Sequence, residues 1–358
     1  MRYHKNKIMK ISSWTDTEDE KQAIIDLTKK TFGDVDITDG VYFDWQYRDS
    51  PNGKAVVLLS HDDNSNHLLV GTHSLIPLKL ISDGKIITSS LCCNVQIHPD
   101  YRKKNIFSNL LLSVPDSALA HNIHSFFGIP NDNSFKAFIN EGSIEITRLP
   151  LLVKPIKLSK YFGTPIKQIL KPFDIFWRNT HTFSDIDELD GNFDDSFENL
   201  TKKTSKRVSV LNSRTKEFLN WRYKNHPTQK YQIFTLKINN ELIGYIITKI
   251  HYIGKKKIGV ILDYMVNSDH KNKAQLKNLI YKAISNFWKN DVSMAIATSR
   301  NGLLENQLLR NCGFFSAPSF LKPVSLHFIV QTYDDDIEHN KLKKFKNWFF
   351  VFGNYDVF

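Results

Sequence analysis

Between residues 95 and 111 the chain reads Val-Gln-Ile-His-Pro-Asp-Tyr-Arg-Lys-Lys-Asn-Ile-Phe-Ser-Asn-Leu-Leu. An apolar run ends at a Pro turn, the cations Arg102, Lys103 and Lys104 follow, and a helical pattern opens at Ile106. The first N–H groups of a helix have no intrahelical partner and carry partial positive charge. A basic loop feeding such a terminus suits a pyrophosphate, with Asn105 at the turn and Ile106, Phe107 and Ser108 in the first helical turn. The same pattern also makes an ordinary solvated turn, so the loop alone does not fix the chemistry.

Other residue types nearby could move a proton or carry a group. His73, just after Gly71, and Glu141, at the end of a helical stretch, are candidate bases. Cys93 could in principle carry an acyl group, although a cysteine in a buried strand is the plainer reading. Deprotonation through water stays open beside them. Trp45 and Tyr47, followed by Asn52, could stack on and hydrogen-bond a ring-shaped substrate, or form the core face of an amphipathic helix.

The whole chain bounds these options. Its 358 residues suffice for roughly two or three domains, and 41% hydrophobic residues allow a full core. No apolar run of ~18 residues predicts a transmembrane helix, and the N-terminus lacks the apolar stretch of a secretory signal. Two of the three cysteines, Cys92 and Cys93, are adjacent, and no metal-ligand spacing occurs. A reducing cytoplasm and no metal are expected. The net charge of +11 favours anionic ligands. Without an Arg-rich tail or a continuous basic helix, phosphorylated small molecules are expected rather than nucleic acid. The cluster Lys255 to Lys257, after Gly254, reads as a solvated hairpin tip.

The elements that must position these residues occur twice. Tyr42-Phe43-Asp44-Trp45-Gln46-Tyr47-Arg48, with Pro51, parallels Phe218-Leu219-Asn220-Trp221-Arg222-Tyr223-Lys224, with Pro227. Each is followed by a strand-like run, a polar turn and a strand containing a glycine (Gly71, Gly244). Val95–Asp100 then parallels Met265–Asp269, and helical stretches Ile106–Asn122 and Ala274–Asn290 follow. Strands Ser125–Ile129 and Ser293–Ala297 come next, then short helices ending at Gly142 and Gly313. Matched positions lie roughly 168 to 176 residues apart, the near-constant offset of a duplicated unit. Early strands in succession predict an antiparallel meander, and the later strand–helix–strand predicts one parallel pair. The expected fold is α/β: two tandem domains, each a mixed, mostly antiparallel sheet flanked by helices. Residues 155–185 are expected as a connector with an amphipathic helix from Ile166 to Trp177, interrupted by Pro172. Its basic and aromatic content would also suit a membrane surface, against the plainer reading of a helix packed between domains.

The 95–111 segment resembles the cofactor loop of the GNAT acyltransferase superfamily, whose strand ends Val-x-Pro-x-Tyr before Arg/Gln-x-x-Gly-x-Gly/Ala and a helix. Ile97, Pro99, Tyr101 and Arg102 match; Asn105 stands at the first Gly and Phe107 at the second position. Asn tolerates a left-handed backbone, which preserves the turn. The resemblance implies acetyl-CoA as co-substrate, held by Val95, Ile97, Arg102, Lys103, Lys104, Asn105, Ile106, Phe107 and Ser108. It places Asn131 and Ser134 near the thioester arm, after a strand that splays from the Val95 strand. Phe138 stands where many members have the Tyr that protonates the leaving thiolate. An oxyanion donor is expected near Val95 to Ile97, with His73 or Glu141 as base and Trp45, Tyr47 and Asn52 toward the acceptor. Residues 1–154 are expected as the GNAT domain binding acetyl-CoA, and 186–358 as a degenerate copy shaping the acceptor site, since its loop has only Lys271 near the Arg position and no Gly. The ending Asn347-Trp348-Phe349-Phe350-Val351-Phe352-Gly353 is similar to tandem GNAT proteins of surface-polysaccharide pathways. The implied reaction is N-acetylation of an amino sugar, often nucleotide-linked. A Fem-type aminoacyl transferase and a non-catalytic CoA-binding scaffold are the alternatives.

Overall fold

The computed structural model describes residues 9–161, 164–172, 174, 185–254, 256–318, 325–334 and 336–355. The first half runs β1 (Met9–Ser13), α1 (Glu18–Phe32), α2 (Gly40–Tyr47), β2 (Val56–Asp62), β3 (Leu68–Ser82), β4 (Lys85–Ile97), α3 (Ile106–Ala120), β5 (Ser125–Gly128), α4 (Asp132–Asn140), β6 (Ile144–Arg148) and β7 (Leu151–Pro155). The connector holds a short helix, α5 (Ile166–Leu170), and Trp177 lies outside the described residues. The second half runs β8 (Ile186–Glu188), α6 (Asp195–Ser205), β9 (Val210–Asn212), α7 (Lys216–Leu219), β10 (Gln232–Ile238), β11 (Glu241–Ile253), β12 (Lys256–Val266), α8 (Lys273–Lys289), β13 (Met294–Thr298), α9 (Leu304–Asn311) and β14 (Phe315–Ser316). It ends with β15 (His327–Thr332), α10 (Ile337–Asn340) and β16 (Trp348–Phe349).

Two mixed sheets result. The first has the order β1-β2-β3-β4-β5-β15-β6, and the second β14-β7-β13-β12-β11-β10-β8. In each, a meander precedes a parallel pair, β4 with β5 and β12 with β13, and the first sheet also holds β9 parallel to β16. This is the mixed, helix-flanked architecture that the strand and helix periodicities require.

The repeat is visible at the level of single residues. Gly71 pairs with Ile97 and Gly244 with Val266. A Cβ on Gly71 would stand 2.9 Å from the side chains of Ile106 and Ile97; one on Gly244 would stand 2.9 Å from Val266 and 3.0 Å from Leu279. Both glycines therefore let the following helix seat directly on the sheet. Trp45 and Trp221, the landmarks of the repeated motif, meet face to face with centroids 4.7 Å apart and planes 16° apart. Each indole donates to the other's carbonyl, Trp45 Nε1 to Trp221 O at 2.9 Å and Trp221 Nε1 to Trp45 O at 2.8 Å. Such reciprocity is what an internal two-fold demands.

The halves are not separate in their sheets. β7 of the first half lies between β13 and β14, and β15 of the second half inserts between β5 and β6. β9 pairs with the end of β3, and β16 pairs with β9. Sheet membership thus crosses the expected division at residues 154 and 186. The acidic stretch at 185–195 begins with β8, paired to β10.

Candidate acyl-transfer site

The site is built on β4. Its register against β3 jumps from Thr72–Gln96 to Ser74–Cys93, so His73 faces two residues, Asn94 and Val95. This is a β-bulge, a device that re-aims backbone groups beside a site. Asn94 takes φ +51°, a left-handed conformation that Asn tolerates better than most residues. Helix α2 clamps it: Asn94 Nδ2 donates to Gln46 Oε1 at 2.9 Å and to the Tyr47 hydroxyl at 3.3 Å, and that hydroxyl is 2.7 Å from Ser74 Oγ.

Beyond the bulge the parallel strands part. β4 and β5 are in register only at Ser90–Phe126 and Leu91–Phe127. A Cβ on Gly128 would lie 3.3 Å from the Cys92 carbonyl oxygen, so the strands are close at the root of the split. The opening forms a cleft of about 620 Å³ between Cys92–Val95 on one side and Gly128–Asn131 on the other. Ser134 and Phe138 of α4 line it, as do Phe32, Val35 and Ile37 between α1 and α2. Leu326, Ile329 and Tyr355 from the far end of the chain complete it, with the Tyr355 hydroxyl donating to Ile129 O at 3.0 Å. No carboxylate is among the described residues that line the cleft.

The basic loop leaves the end of β4. Tyr101 anchors it by donating to Asp62 Oδ2 at 2.8 Å, and Lys104 Nζ sits 4.1 Å from the Tyr101 ring centroid. Lys103 and Asn105 both take positive φ, +65° and +57°, so the expected left-handed turn at Asn105 is present. Arg102, Lys103 and Lys104 are exposed. No side chain caps the start of α3, and Asn105 holds the cap position by backbone conformation alone. Phe107 packs edge-on against Phe138 of the cleft at 5.3 Å, so loop and cleft adjoin. Ile97 packs partly buried beside Ile106 against Gly71.

The second half shows the contrast. There Asn272 caps α8, its Oδ1 accepting from the N–H groups of Ala274 at 3.1 Å and Gln275 at 3.4 Å. Lys273 Nζ turns back to the Ser268 and His270 carbonyls at 2.6 and 2.9 Å. Glu305, 2% exposed, accepts from the N–H of Val266, the counterpart of Ile97, and pairs with Arg207. The amides that would meet a phosphate are already satisfied in this copy.

Several expected roles do not fit this geometry. Trp45 and Tyr47 are buried, the first stacked on Trp221 and the second bonded at the bulge, so neither offers a face to an acceptor. Asn52 lies on a different cavity of about 370 Å³, with Trp14, Lys54 and His121. His73 is wholly buried behind the bulge, its Nε2 3.4 Å from Cys92 Sγ, and burial pushes its pKa down to about 3. It is held neutral, and it meets the cleft only through Cys92 and Phe138, not being a lining residue itself. Glu141 ends α4, and it too is absent from the cleft lining. Cys93, the cysteine considered as an acyl carrier, is half-buried and lines the cleft, while burial pushes the thiol of its neighbour Cys92 up and leaves that one a protonated core group. Asn131 and Ser134 do line the cleft, although the Asn131 side chain is engaged in capping α4. Sequence reading missed Asn94, Gln46 and Tyr355. A polar Asn inside the apolar run from Leu91 to Ile97 was the available signal for the bulge.

Residues 15–135 match the family model described as acetyltransferase (GNAT) domain. Among solved structures, a GCN5-related N-acetyltransferase from Anabaena variabilis is similar with TM-score 0.63 and 11% identity, over 91% of this chain and 73% of that one. Saccharomyces cerevisiae N-myristoyltransferase with bound myristoyl-CoA gives TM-score 0.59 and 16% identity, over 92% and 83%. A probable N-acyltransferase from Enterococcus faecalis gives 0.62 and 11%, over 91% and 73%. No curated protein sequence matches the chain. At these identities the structural likeness shows the fold, and the matched domain marks the chain as an acyltransferase. Among the described residues no helix is long and apolar enough to cross a membrane.

Proposed function

We propose that the chain is an acetyl-CoA-dependent N-acetyltransferase whose acceptor is the amine of an amino sugar, nucleotide-linked, in surface-polysaccharide synthesis. The observation that carries the transferase part is the bulge at Asn94–Val95 opening on the β4–β5 cleft, continuous with a helix start that no side chain caps. In this reading the diphosphate lies against the amides of Ile106 to Ser108, with Arg102, Lys103 and Lys104 around it. The pantetheine enters between β4 and β5 past Asn131 and Ser134.

The amine nitrogen bonds to the thioester carbonyl carbon, and its proton passes to water, since no carboxylate lines the cleft. The carbonyl oxygen takes the negative charge and meets the backbone N–H re-aimed by the bulge. The C–S bond then breaks and the sulfur leaves with the electron pair. An alkyl thiolate, with a parent pKa near ~8.5, leaves without an acid at Phe138. The sugar acceptor is supported by the resemblance of the chain's ending and by the hydroxyl and amide groups at the cleft, on Asn94, Ser325 and Tyr355.

Replacing Arg102 and Lys104 with Ala is expected to raise the KM for acetyl-CoA by roughly tenfold with kcat nearly unchanged, because the loop binds ground and transition states alike. An unchanged KM would mean that the diphosphate lies elsewhere. Thiol release across a panel of nucleotide-linked amino sugars tests the acceptor; silence with acetyl-CoA bound would remove the sugar.

The apolar mouth of the cleft, Phe32, Val35 and Ile37 with Leu326 and Ile329, favours a second reading in which the acyl chain is longer than acetyl. Ranking acetyl-, octanoyl- and myristoyl-CoA by kcat/KM separates the two.

A further inference from the structure

A second surface, far from β4 in the sequence, combines charge and exposed apolar groups. The hairpin of β11 and β12 turns at Gly254, with Tyr252 opposite Lys257 and Ile253 opposite Lys256. Tyr252 is 61% and Ile253 58% exposed. The short helix α5 lies beside it, because Lys167 of α5 and Lys256 and Lys257 of the hairpin line one shallow cavity of about 230 Å³ together with Lys160. On α5, Ile166 and Ile169 stand three residues apart on one face, 49% and 65% exposed. Lys157 and Lys160 are paired with Asp291 at the cavity edge. Among the described residues Lys167, Lys256 and Lys257 form no ion pair, and Asp291, which lines the same cavity, is held by Lys157 and Lys160.

Exposed isoleucines rarely gather on a surface that only water touches. Flanked by lysines, they form the pattern of a peripheral membrane face: apolar tips enter the headgroup boundary while cations meet lipid phosphates. We infer that this end of the molecule, where Tyr252 and Ile253 project from the two sides of the hairpin tip beside α5 with its Ile166 and Ile169, and where Lys167, Lys256 and Lys257 supply positive charge, docks the protein on an anionic lipid bilayer. Nucleic acid would use the same cations, but its phosphate backbone gains nothing from four solvent-facing apolar side chains. The inference rests on the fold and not on the acceptor proposed above.

Vesicle co-sedimentation tests it, with the full chain and phosphatidylcholine vesicles with or without phosphatidylglycerol. Binding is expected only to the anionic vesicles and to fall as salt rises. K167E/K256E and, separately, I169S/Y252S should each lower partitioning by at least ~tenfold. All four positions are exposed and outside the cleft, so circular dichroism should be unchanged. Lack of binding to anionic vesicles at low salt would overturn the inference. So would binding that neither variant weakens. Binding that I169S/Y252S leaves intact and double-stranded DNA competes away would assign the lysines to a nucleic acid instead.

Discussion

Asn94 is the residue on which the site turns. It supplies the left-handed conformation of the bulge and fastens it to α2 through Gln46 and Tyr47. Two requirements are therefore separable by substitution. Glycine keeps the backbone freedom and loses the side-chain bonds; valine keeps neither and adds a left-handed penalty of ~1–2 kcal/mol. Asn94→Gly is expected to retain kcat within a few-fold, whereas Asn94→Val should lose roughly a hundredfold or more, the scale of a lost oxyanion donor. Equal losses in the two variants would show that the side chain, not the backbone, does the chemistry. At this scale the sequence was half legible. The loop from Pro99 to Ser108 could be read because its cations and turn residues are contiguous. His73 and the Trp45–Tyr47 pair were misplaced because alternation along a strand or helix does not say which face a neighbouring element covers. His73 points into the layer under α3 and α4, with Phe126 and Phe138 beside it.

Among elements, the two copies differ where the function does. Helices α3 and α8 start at matched positions, yet α8 is capped by Asn272 and α3 by backbone alone. An Asn cap contributes ~1 kcal/mol to a helix and occupies the amides that an anion would need. The start of α8 is thus closed by its own Asn272 side chain, whereas the cap residue of α3, Asn105, makes no such bond. What both copies keep is the α2-type motif, because its tryptophans hold the halves together. A double-mutant cycle on Trp45→Phe and Trp221→Phe should show a coupling energy of about 1 kcal/mol in denaturant unfolding, from stacking and the reciprocal hydrogen bonds. Additive losses would mean that the two rings are merely adjacent. The order of elements was legible from the offset between repeats. The length of β3 was not: the pattern marks a strand around Gly71, while the structure carries it from Leu68 through Pro77 to Ser82. Pro77 is tolerated next to β4 opposite Ser90.

In the whole molecule, the exchange of β7 and β15 makes the two sheets interdependent. It brings Leu326, Ile329 and Tyr355 to a cleft whose other walls come from the first 140 residues. No sequence pattern predicts that partner choice, because a strand's alternation fixes its faces and not its neighbours. The buried pair Arg214–Asp263, 2.9 Å apart and stacked under Phe349, ties the same terminal segment to β12. Breaking it would leave an uncompensated charge in the core. Under the proposed function, the second half would wall the acceptor side and the first half would bind the cofactor.

A crystal structure of the chain with acetyl-CoA tests that division most directly. The account predicts the diphosphate at the N–H groups of Ile106, Phe107 and Ser108, and the thioester carbonyl at the Asn94–Val95 bulge. Cofactor bound at the start of α8, or a thioester lying away from the β4–β5 split, would contradict it.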